Sequence, residues 1–388
     1  MFKIELPKKD CMVCGKCWIV CNQNAISFKL TEWNYEPVID KSKCIRCGRC
    51  VNVCNNKIAL DEYFDSKSFG VTLKNKNLSI GSSSSGIFYV VAKKIIEMGG
   101  VVFGAVFDRD SVVHKSAHNL HELEKIRKSK YVQSNWVTIL PEMNDALKSE
   151  KMVLFSGTPC QVATVKDSFG KYNNLYTIDL YCHGVAVAGL FKNYLQTYKK
   201  KIANVEFRTK DYTSKSAEDE LFFKFFFDDG SITFIPLSKD IFYRLFSTSE
   251  SLKDACFDCY FADKKHKSDI TLGDLDLSIA SNYGINDNYP SLTTVNTKKG
   301  FELLELVSNQ LQKKAIAPSD LGKYYRQHNY TGVWGYNRDK QRTFFENNNK
   351  FGFEKAANLS MKDAYGFFGY YKIKIKKLLK YNEQHKVG

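Results

Sequence analysis

The hydrophobic pattern beyond the first 80 residues switches between helical and strand spacing. Apolar side chains from Ile87 to Met98 recur with a helical period, and Gly99 and Gly100 then end the predicted helix. Residues 101–107 follow as an unbroken apolar run, which predicts a buried strand. This alternation is typical of a mixed α/β domain.

Two more predicted strands, 152–155 and 175–181, are each followed by a loop rich in small and reactive side chains. Because open α/β sheets bind ligands at the carboxyl ends of their parallel strands, we expect both loops to line a site. A third predicted strand, 269–274, follows a C-x2-C pair. The two loops are Ser156-Gly157-Thr158-Pro159-Cys160, before a helix predicted from Gln161, and Cys182-His183-Gly184.

The serine run 82–85, with Gly86, stands directly before the helix predicted from Ile87. Serine runs are often flexible linkers. The position at a helix N-terminus favours an anion-binding loop instead, because N–H groups and hydroxyls can both face an anion. The sequence leaves both interpretations open.

The first 54 residues carry eight cysteines, and the spacing C-x2-C-x2-C-x3-C occurs twice among them. Such a loop supplies three thiolates to a 4Fe-4S cluster, and in two-cluster bacterial ferredoxins the fourth comes from the other repeat. Zinc sites and disulfides also use paired cysteines, but neither explains a third cysteine at the next x2 step. The predicted ligand sets are Cys11, Cys14, Cys17 and Cys54 for one cluster and Cys44, Cys47, Cys50 and Cys21 for the other.

The residues around these cysteines depart from the usual ferredoxin pattern at two places. Asn22 and Asn55 stand where such motifs usually continue with proline. Asparagine tolerates turn geometry, so we expect altered reduction potentials but intact cluster binding. Gly15 and Gly48 are predicted to let the backbone approach the inorganic core closely.

The chain of 388 residues is predicted to divide into five segments. A βαββαβ ferredoxin module, ending in the strand Ile58–Leu60, is followed by a polar linker. A mixed α/β flavoprotein-like domain and a basic helical tail complete the predicted fold, which is α/β in class and α+β overall. The segments are 1–62 (ferredoxin), 63–80 (linker), 81–165 and 166–320 (the α/β region) and 321–388 (tail).

Lysine and arginine exceed aspartate and glutamate by 57 − 42 = 15. Two oxidised clusters of about −2 each lower the net charge to about +11. This balance is typical of proteins that bind nucleic acid or membranes, but the aromatic segment 221–227 has the pattern of sheet core, so we expect no nucleic-acid binding. Free-thiol chemistry, no leader-like segment and no apolar run of 18 residues predict a cytoplasmic protein.

Part of the excess charge lies in the tail, where residues 371–380 have an amphipathic helical pattern. Such a helix can dock on its own protein, or it can contact an anionic membrane surface or a partner. One face carries Tyr371, Ile375, Leu378 and Leu379, and the other carries Lys372, Lys376, Lys377 and Lys380.

Four later cysteines, Cys160, Cys182, Cys256 and Cys259, could hold a third 4Fe-4S cluster or be ordinary buried thiols. Several stretches resemble the coenzyme F420 hydrogenase/dehydrogenase beta subunit family, in its subgroup with an N-terminal two-cluster ferredoxin. The resemblance runs in order over residues 1–310. Its motifs are Ser83-Ser84-Ser85-Gly86-Ile87-Phe88, Ser129-Lys130-Tyr131-Val132-Gln133-Ser134, Gly157-Thr158-Pro159-Cys160-Gln161, Cys182-His183-Gly184-Val185, Phe207-Arg208, Cys256-x2-Cys259 and Asp269-Ile270-Thr271-Leu272-Gly273-Asp274.

The resemblance implies a flavoprotein with FAD, iron–sulfur clusters and, in its namesakes, a 5-deazaflavin as hydride partner. It also implies a 4Fe-4S cluster in the C-terminal region, with the four later cysteines as its ligands. Three departures from the family's motifs weaken the expectation that this protein uses the namesake substrate. Leu275-Asp276-Leu277 replaces the family's F-W-G after Asp274, Ala186 replaces a proline, and the family's Gly-Trp is missing near residues 211–213.

The resemblance also suggests which residues contact FAD, because no G-x-G-x-x-G follows a strand and the flavin has no independent motif. Basic and hydroxyl groups suit its pyrophosphate, and loop N–H groups suit its ring. His183 is the candidate catalytic proton donor, but it can equally be a neutral loop histidine, and Lys130 can equally be a solvated surface residue. The predicted contacts are Ser84, Ser85, Gly86, Lys130, Gly157, Thr158, His183 and Gly184.

The expected function is that of an oxidoreductase in which FAD converts between hydride pairs and the single electrons of the clusters. Its expected partners are a redox donor or acceptor protein or a deazaflavin-type small molecule. Polysaccharide biosynthesis is one expected setting, because many relatives are encoded there. The alternative is an electron-transfer subunit that docks on a catalytic partner and has no substrate of its own.

Overall fold

The computed structural model describes residues 5–6, 11–54, 66–210, 221–259, 261, 266–324 and 337–362. The two cysteine motifs flank a short antiparallel hairpin, β1 (Ile26–Leu30) and β2 (Tyr35–Ile39). Each motif contains a one-turn helix, α1 (Lys16–Ile19) in the first and α2 (Arg49–Asn52) in the second. The predicted strand Ile58–Leu60 lies outside the described residues.

The remaining strands form two sheets. Three of them, β8 to β10, make a small antiparallel sheet, and the other eight make the main sheet in the order β13-β3-β12-β11-β7-β6-β4-β5. In chain order the strands are β3 (Lys67–Leu73), β4 (Val101–Asp108), β5 (Ser111–Ala117), β6 (Val153–Ser156), β7 (Leu175–Leu180), β8 (Ile202–Lys210), β9 (Leu221–Phe227), β10 (Ile232–Pro236), β11 (Ile270–Asp274), β12 (Ser291–Val295) and β13 (Leu311–Ala315).

The four central strands of the main sheet, β11, β7, β6 and β4, run parallel to one another. The outer strands pair antiparallel. The longer connections contain the helices α3 (Lys76–Ile80), α4 (Ile87–Glu97), α5 (Leu120–Ile126), α6 (Leu140–Lys148), α7 (Pro159–Phe169), α8 (Ala188–Gln196), α9 (Ile241–Ser247), α10 (Leu277–Asn282), α11 (Lys298–Glu305) and α12 (Arg338–Phe351).

Helices cover both faces of the main sheet, as expected for parallel strands with apolar side chains on both sides. Alternate residues of β4 separate the two cores: Val101 and Phe103 pack with α6, α7 and α8, whereas Val102 and Val106 pack with α4, α5 and α11. The predicted α/β fold class is confirmed. The helix and strands predicted around residues 87–107, 152–155, 175–181 and 269–274 lie within one residue or two of those observed.

The linker predicted for residues 63–80 is wrong over residues 67–80, which form β3 and α3. β3 lies between β12 and β13, and Val71 and Leu73 are buried in the core of the α4 face. Polar residues such as Ser68 and Thr72 mask the strand in the sequence. They are tolerated because Ser68 bonds Thr294 and Thr72 bonds Gln312 on the neighbouring strands.

The ferredoxin motifs are not a separate appendage, because their apolar residues belong to the larger of the two cores. Val13, Ile26 and Phe28 pack there together with side chains from α6, α7 and α8. The C-terminal part joins the same core through Phe344 of α12 and through the helical residues 353–362. The basic amphipathic stretch 371–380 lies outside the described residues. Within the described ranges, no helix is long and apolar enough to cross a membrane.

Candidate functional site

A cavity of about 600 Å³ lies at the carboxyl edge of the parallel strands. Ser156 at the end of β6, Leu180 at the end of β7 and Asp274 at the end of β11 all line it. This volume is typical of a small-molecule or cofactor site. The loops predicted to meet at this edge do so: Gly157, Thr158, Cys160, Cys182, His183 and Gly184 all line the cavity.

One wall of the cavity is the serine run and the first turn of α4. Gly86 takes a left-handed conformation (φ 103°) at the N-cap, and no side chain caps the helix there. The first N–H groups of a helix carry partial positive charge, which suits an anion. Ser83 and Ser84 are tied into the protein, since Ser83 Oγ accepts from Ser129 N at 2.7 Å and Ser84 Oγ donates to Pro290 O at 3.2 Å.

Ser85, predicted to contact FAD, is placed elsewhere. It is fully buried, and its N–H and hydroxyl both bond Ser291 Oγ, at 3.1 and 2.8 Å. It does not line the cavity, whereas Ser84 and Gly86 do. Ser85 therefore holds the loop against β12.

Two lysines, the buried Lys210 and the half-buried Lys130, hold the loops around the serine run. Lys210 Nζ donates to Ser84 O at 2.5 Å and to Ser79 O at 3.0 Å, and burial lowers its pKa to about 7. Lys130 Nζ donates to backbone carbonyls at the end of α5, among them Ile126 O at 2.8 Å, and burial lowers its pKa to about 7 as well. Lys130 lines the cavity but is not a solvated surface residue, and its ammonium group already binds the helix C-terminus.

Gly157 and Thr158 also use their amide groups within the protein. Gly157 N donates to Ile178 O at 3.2 Å, and Thr158 N donates to Gln161 Oε1 at 2.9 Å. A Cβ at position 157 would lie 2.7 Å from Gln161 Oε1, so a larger residue would displace the amide that caps Thr158 N. These residues shape the loop that places Cys160 at the first turn of α7.

His183 lies at the cavity with its ring edge against the backbone of α9. Its Nε2 is 3.0 Å from Phe246 O and 3.3 Å from Ser249 Oγ, and its ring packs on Phe246 at 5.1 Å between centroids. A carbonyl only accepts, so this geometry requires Nε2 to carry the proton. The arrangement therefore favours the interpretation of His183 as a neutral loop histidine. It does not favour Nε2 of His183 as a proton donor.

Another wall of the cavity is aromatic and contains an ion pair between the half-buried Arg208 and the exposed Asp274. Tyr131 packs against Tyr243 and Phe246, with ring centroids 5.2 and 4.9 Å apart. Arg208 Nη1 donates to Asp274 Oδ2 at 2.6 Å. Tyr131 and Arg208 belong to motifs of the sequence, but the sequence pattern does not place them at this wall. It does not place Tyr243 there either.

Four residues that line the cavity contain a buried polar atom without a partner among the described residues: Tyr131 Oη, Gln133 Oε1, His114 Nδ1 and Arg208 Nε. Such atoms are rare in folded proteins, because each costs the desolvation of its group. Burial also lowers the pKa of His114 to about 4, so this ring is neutral and Nδ1 can act as an acceptor. Their grouping around one cavity fits a polar ligand.

The four later cysteines converge beside the same cavity. Cys160 interacts electrostatically with Cys182, Cys256 and Cys259, and burial raises its pKa well above the usual value. Cys160 and Cys182 line the cavity directly. In the described ranges no three His, Cys, Asp or Glu side chains are grouped to hold a single metal ion.

The ferredoxin cysteines interact electrostatically both within each motif and between the two motifs. Cys17 interacts electrostatically with Cys14, Cys11 and Cys54, while Cys50 interacts with Cys21 and Cys44. Burial is the main cause that raises the pKa of Cys54 to about 11. These interactions agree with the expected exchange of the fourth cysteine between the repeats, which stays a prediction.

The first ferredoxin loop reaches the later cysteines and the cavity. Met12, Cys160 and Cys259 pack against the same small cluster, Ala163 and Phe261, and both Met12 and Val13 line the cavity. Trp136 Nε1 donates to Val13 O at 2.9 Å, and Lys16 Nζ is 2.9 Å from Asp167 Oδ2 on α7. One group of ferredoxin cysteines, the four later cysteines and the cavity are thus neighbours.

Comparisons with known proteins agree with this organisation. Residues 10–58 match the model of a 4Fe-4S dicluster domain, and residues 150–319 match the model of the C-terminal region of the coenzyme F420 hydrogenase/dehydrogenase beta subunits. Among solved structures, the chain is similar to one from the F420-reducing NiFe hydrogenase complex of Methanosarcina barkeri. That match has 16% identity and a TM-score of 0.46, and it covers 76% of this chain and 96% of the other. A search of curated proteins found no match.

The matches define a class of protein, an iron–sulfur electron-transfer protein with a dicluster domain. More particularly, residues 150–319 are similar to the C-terminal region of the coenzyme F420 hydrogenase/dehydrogenase beta subunits, a family of oxidoreductase subunits. The family resemblance found in the sequence motifs is confirmed.

Proposed function

We propose that this protein is an iron–sulfur flavoprotein oxidoreductase that binds FAD in the cavity and carries three 4Fe-4S clusters. The observation that supports this proposal is the cavity, which has an uncapped helix N-terminus at one wall and Cys160 and Cys182 at another. A bound flavin there would supply the conversion between hydride pairs and single electrons, which clusters alone do not perform. The chain's own residues bind and orient it.

Two parts of the cavity wall suit two parts of a dinucleotide flavin. The N-terminus of α4, with Ser84 and Gly86, suits a pyrophosphate, because backbone N–H groups and the helix dipole both favour negative charge. The aromatic wall, with Tyr131 and Arg208, suits a flat polar ring. Tyr131 Oη, Gln133 Oε1 and Arg208 Nε, which have no partner among the described residues, would supply donors and acceptors for its edge.

The order of groups supports an electron path from the cavity to the ferredoxin clusters. Cys160, Cys182, Cys256 and Cys259 would hold the inner cluster, and the group with Cys11 would hold the next one, because Met12 and Cys160 pack against the same small apolar cluster. The second substrate would be a deazaflavin-type molecule or a redox protein. The cavity favours this reading over that of a docking subunit without a substrate pocket.

Anaerobic purification followed by iron, sulfide and flavin analysis tests the proposal. We expect about 12 iron atoms and one FAD per chain, with four iron atoms in each cluster. About eight iron atoms and no flavin would leave only the dicluster domain. The matched variants are Cys160→Ser and Cys47→Ser: both should lower iron by about one cluster, but only Cys160→Ser should change the flavin spectrum.

Removing a cavity-wall donor gives an independent check. Arg208→Met should reduce the FAD retained after gel filtration at least several-fold while the iron content stays the same. Arg338→Met is a control, because Arg338 pairs with Asp258 on the surface. Equal flavin loss in both variants, or in neither, would argue against the cavity as the flavin site.

A further inference from the structure

The second ferredoxin loop presents an exposed surface with both apolar and basic side chains. Ile45 is 65% exposed and Val51 is 37% exposed, which is unusual for large apolar residues. Lys41, Lys43, Arg46 and Arg49 are also exposed around them. We call these six residues the outer patch.

Charge in this loop is strongly one-sided. Residues 40–54 contain four basic side chains and one acidic side chain, Asp40, which gives a formal charge of 4 − 1 = +3. Asp40 is occupied locally, since it accepts from Ser42 N and Oγ and lies 3.8 Å from Lys43 Nζ. The cysteines beside the patch belong to the dicluster domain, and each oxidised cluster carries about −2. The basic side chains therefore offset a charge that would otherwise repel an acidic partner.

The equivalent positions of the first loop do not form such a surface. Val13, the counterpart of Arg46, is buried, and Lys16, the counterpart of Arg49, pairs with Asp167. The cavity is lined by Met12 and Val13 and by no residue of the second loop. Electrons that enter or leave at the cavity would therefore reach the protein surface at the second loop, where Cys47 is exposed.

We propose that the outer patch is the docking surface for a small acidic iron–sulfur protein that exchanges single electrons with the second cluster. Opposite charge steers such a partner and raises its association rate, while Ile45 and Val51 supply the apolar centre of a small, short-lived interface. One electron passes per encounter: the carrier is oxidised as the cluster is reduced, or the reverse. This inference rests on the dicluster domain and not on FAD.

The test measures electron exchange between the full cluster-loaded chain and an acidic bacterial two-cluster ferredoxin by anaerobic stopped flow. The patch variant is Lys41→Glu with Arg49→Glu. The control variant, Lys298→Glu with Lys314→Glu, makes the same change in net charge on α11 and β13. We expect the patch variant to lower the second-order rate constant at least tenfold at low salt and to abolish its decrease with ionic strength.

The control variant should stay within twofold of the unmodified protein, and iron content and oxidation by the uncharged duroquinone should be the same in all three proteins. Ile45→Ser should weaken exchange without changing the salt dependence. An unchanged rate in the patch variant, or an equal loss in the control, would overturn the proposal. So would patch-dependent binding to anionic lipid vesicles with unaltered ferredoxin kinetics. Low flavin content with these results intact would refute the proposed function alone.

Discussion

The two ferredoxin loops have the same cysteine spacing and the same local backbone, yet they have opposite surroundings. Val13 and Arg46 share a left-handed conformation (φ 53° and 55°), as do Gly15 and Gly48 (φ 81° and 75°). A Cβ at Gly15 would lie 2.8 Å from Val137, whereas one at Gly48 would meet nothing within 4 Å. The same motif thus serves as an internal contact in one repeat and as a surface in the other.

This difference gives the repeats different tasks. The first loop is fixed against the cavity and the later cysteines by Met12, Val13 and the Trp136 bond. The second loop keeps Cys47 and its basic neighbours at the surface. If electrons pass between the cavity and the surface as proposed, the first loop would face the cavity and the second loop a partner.

The largest expected effect comes from alanine at the two matched glycines. Gly15→Ala should lower the free energy of unfolding by about 3 kcal/mol, since a left-handed alanine and a clash with Val137 both add cost. Gly48→Ala should cost about 1 kcal/mol, from the backbone alone. Anaerobic urea denaturation of both variants measures the difference. Equal losses would mean that the two loops are packed alike.

The next effect concerns the indole bond to the first loop. Trp136→Phe removes the N–H that donates to Val13 O, so it should cost about 2 kcal/mol in the free energy of unfolding. We call the cluster of the Cys11 group the first cluster and the other ferredoxin cluster the second. Only the electron paramagnetic resonance signal of the first cluster should change. Tyr35→Phe is a control in the same core. A matching change in the second cluster's signal would contradict the assignment.

Loss of a buried charge near the first loop should change the reduction potentials of the two ferredoxin clusters by different amounts. Lys253 is 1% exposed, its Nζ donates to Asn34 Oδ1 at 3.2 Å, and it interacts electrostatically with Cys11 and Cys256. Lys253→Gln should lower the potential of the first cluster by about 60 mV, or roughly 1.4 kcal/mol for one electron. Redox titration of the cluster signals measures this. Lys253→Arg should leave the reduction potential of the first cluster unchanged. If Lys253→Gln shifts the potential of the second cluster equally, this would count against the placement of Lys253 beside the first cluster.

The smallest effect concerns the matched basic residues of α1 and α2. Lys16→Ala breaks a partly exposed pair with Asp167 and should cost about 0.5–1 kcal/mol in the free energy of unfolding. Arg49→Ala should leave stability almost unchanged and act on partner binding instead. Thermal unfolding of both variants tests this, and a larger loss for Arg49→Ala would reverse the comparison.

Local patterns were sufficient for the regular parts of the fold, and the cluster ligands stay a prediction from the same spacing. The helix from Ile87 and the strand from Val101 follow from spacing, because helical and strand periods differ. β3 was missed because Ser68 and Thr72 are satisfied by partners more than 200 residues away in the chain. At the site, the sequence predicted that Cys160 and Cys182 would meet, but Ser85, Lys130 and Thr158 proved to hold the loops together.

The sequence by itself determined the chemistry of this protein: twelve cysteines in ferredoxin-type and family-type positions, on an α/β framework. Only the tertiary structure decided which loop faces the cavity and which faces solvent, and which polar atoms remain unpaired at the cavity wall. The physical reason is that thiolate spacing is a local property of a loop. Burial and polar pairing depend on segments far apart in the chain.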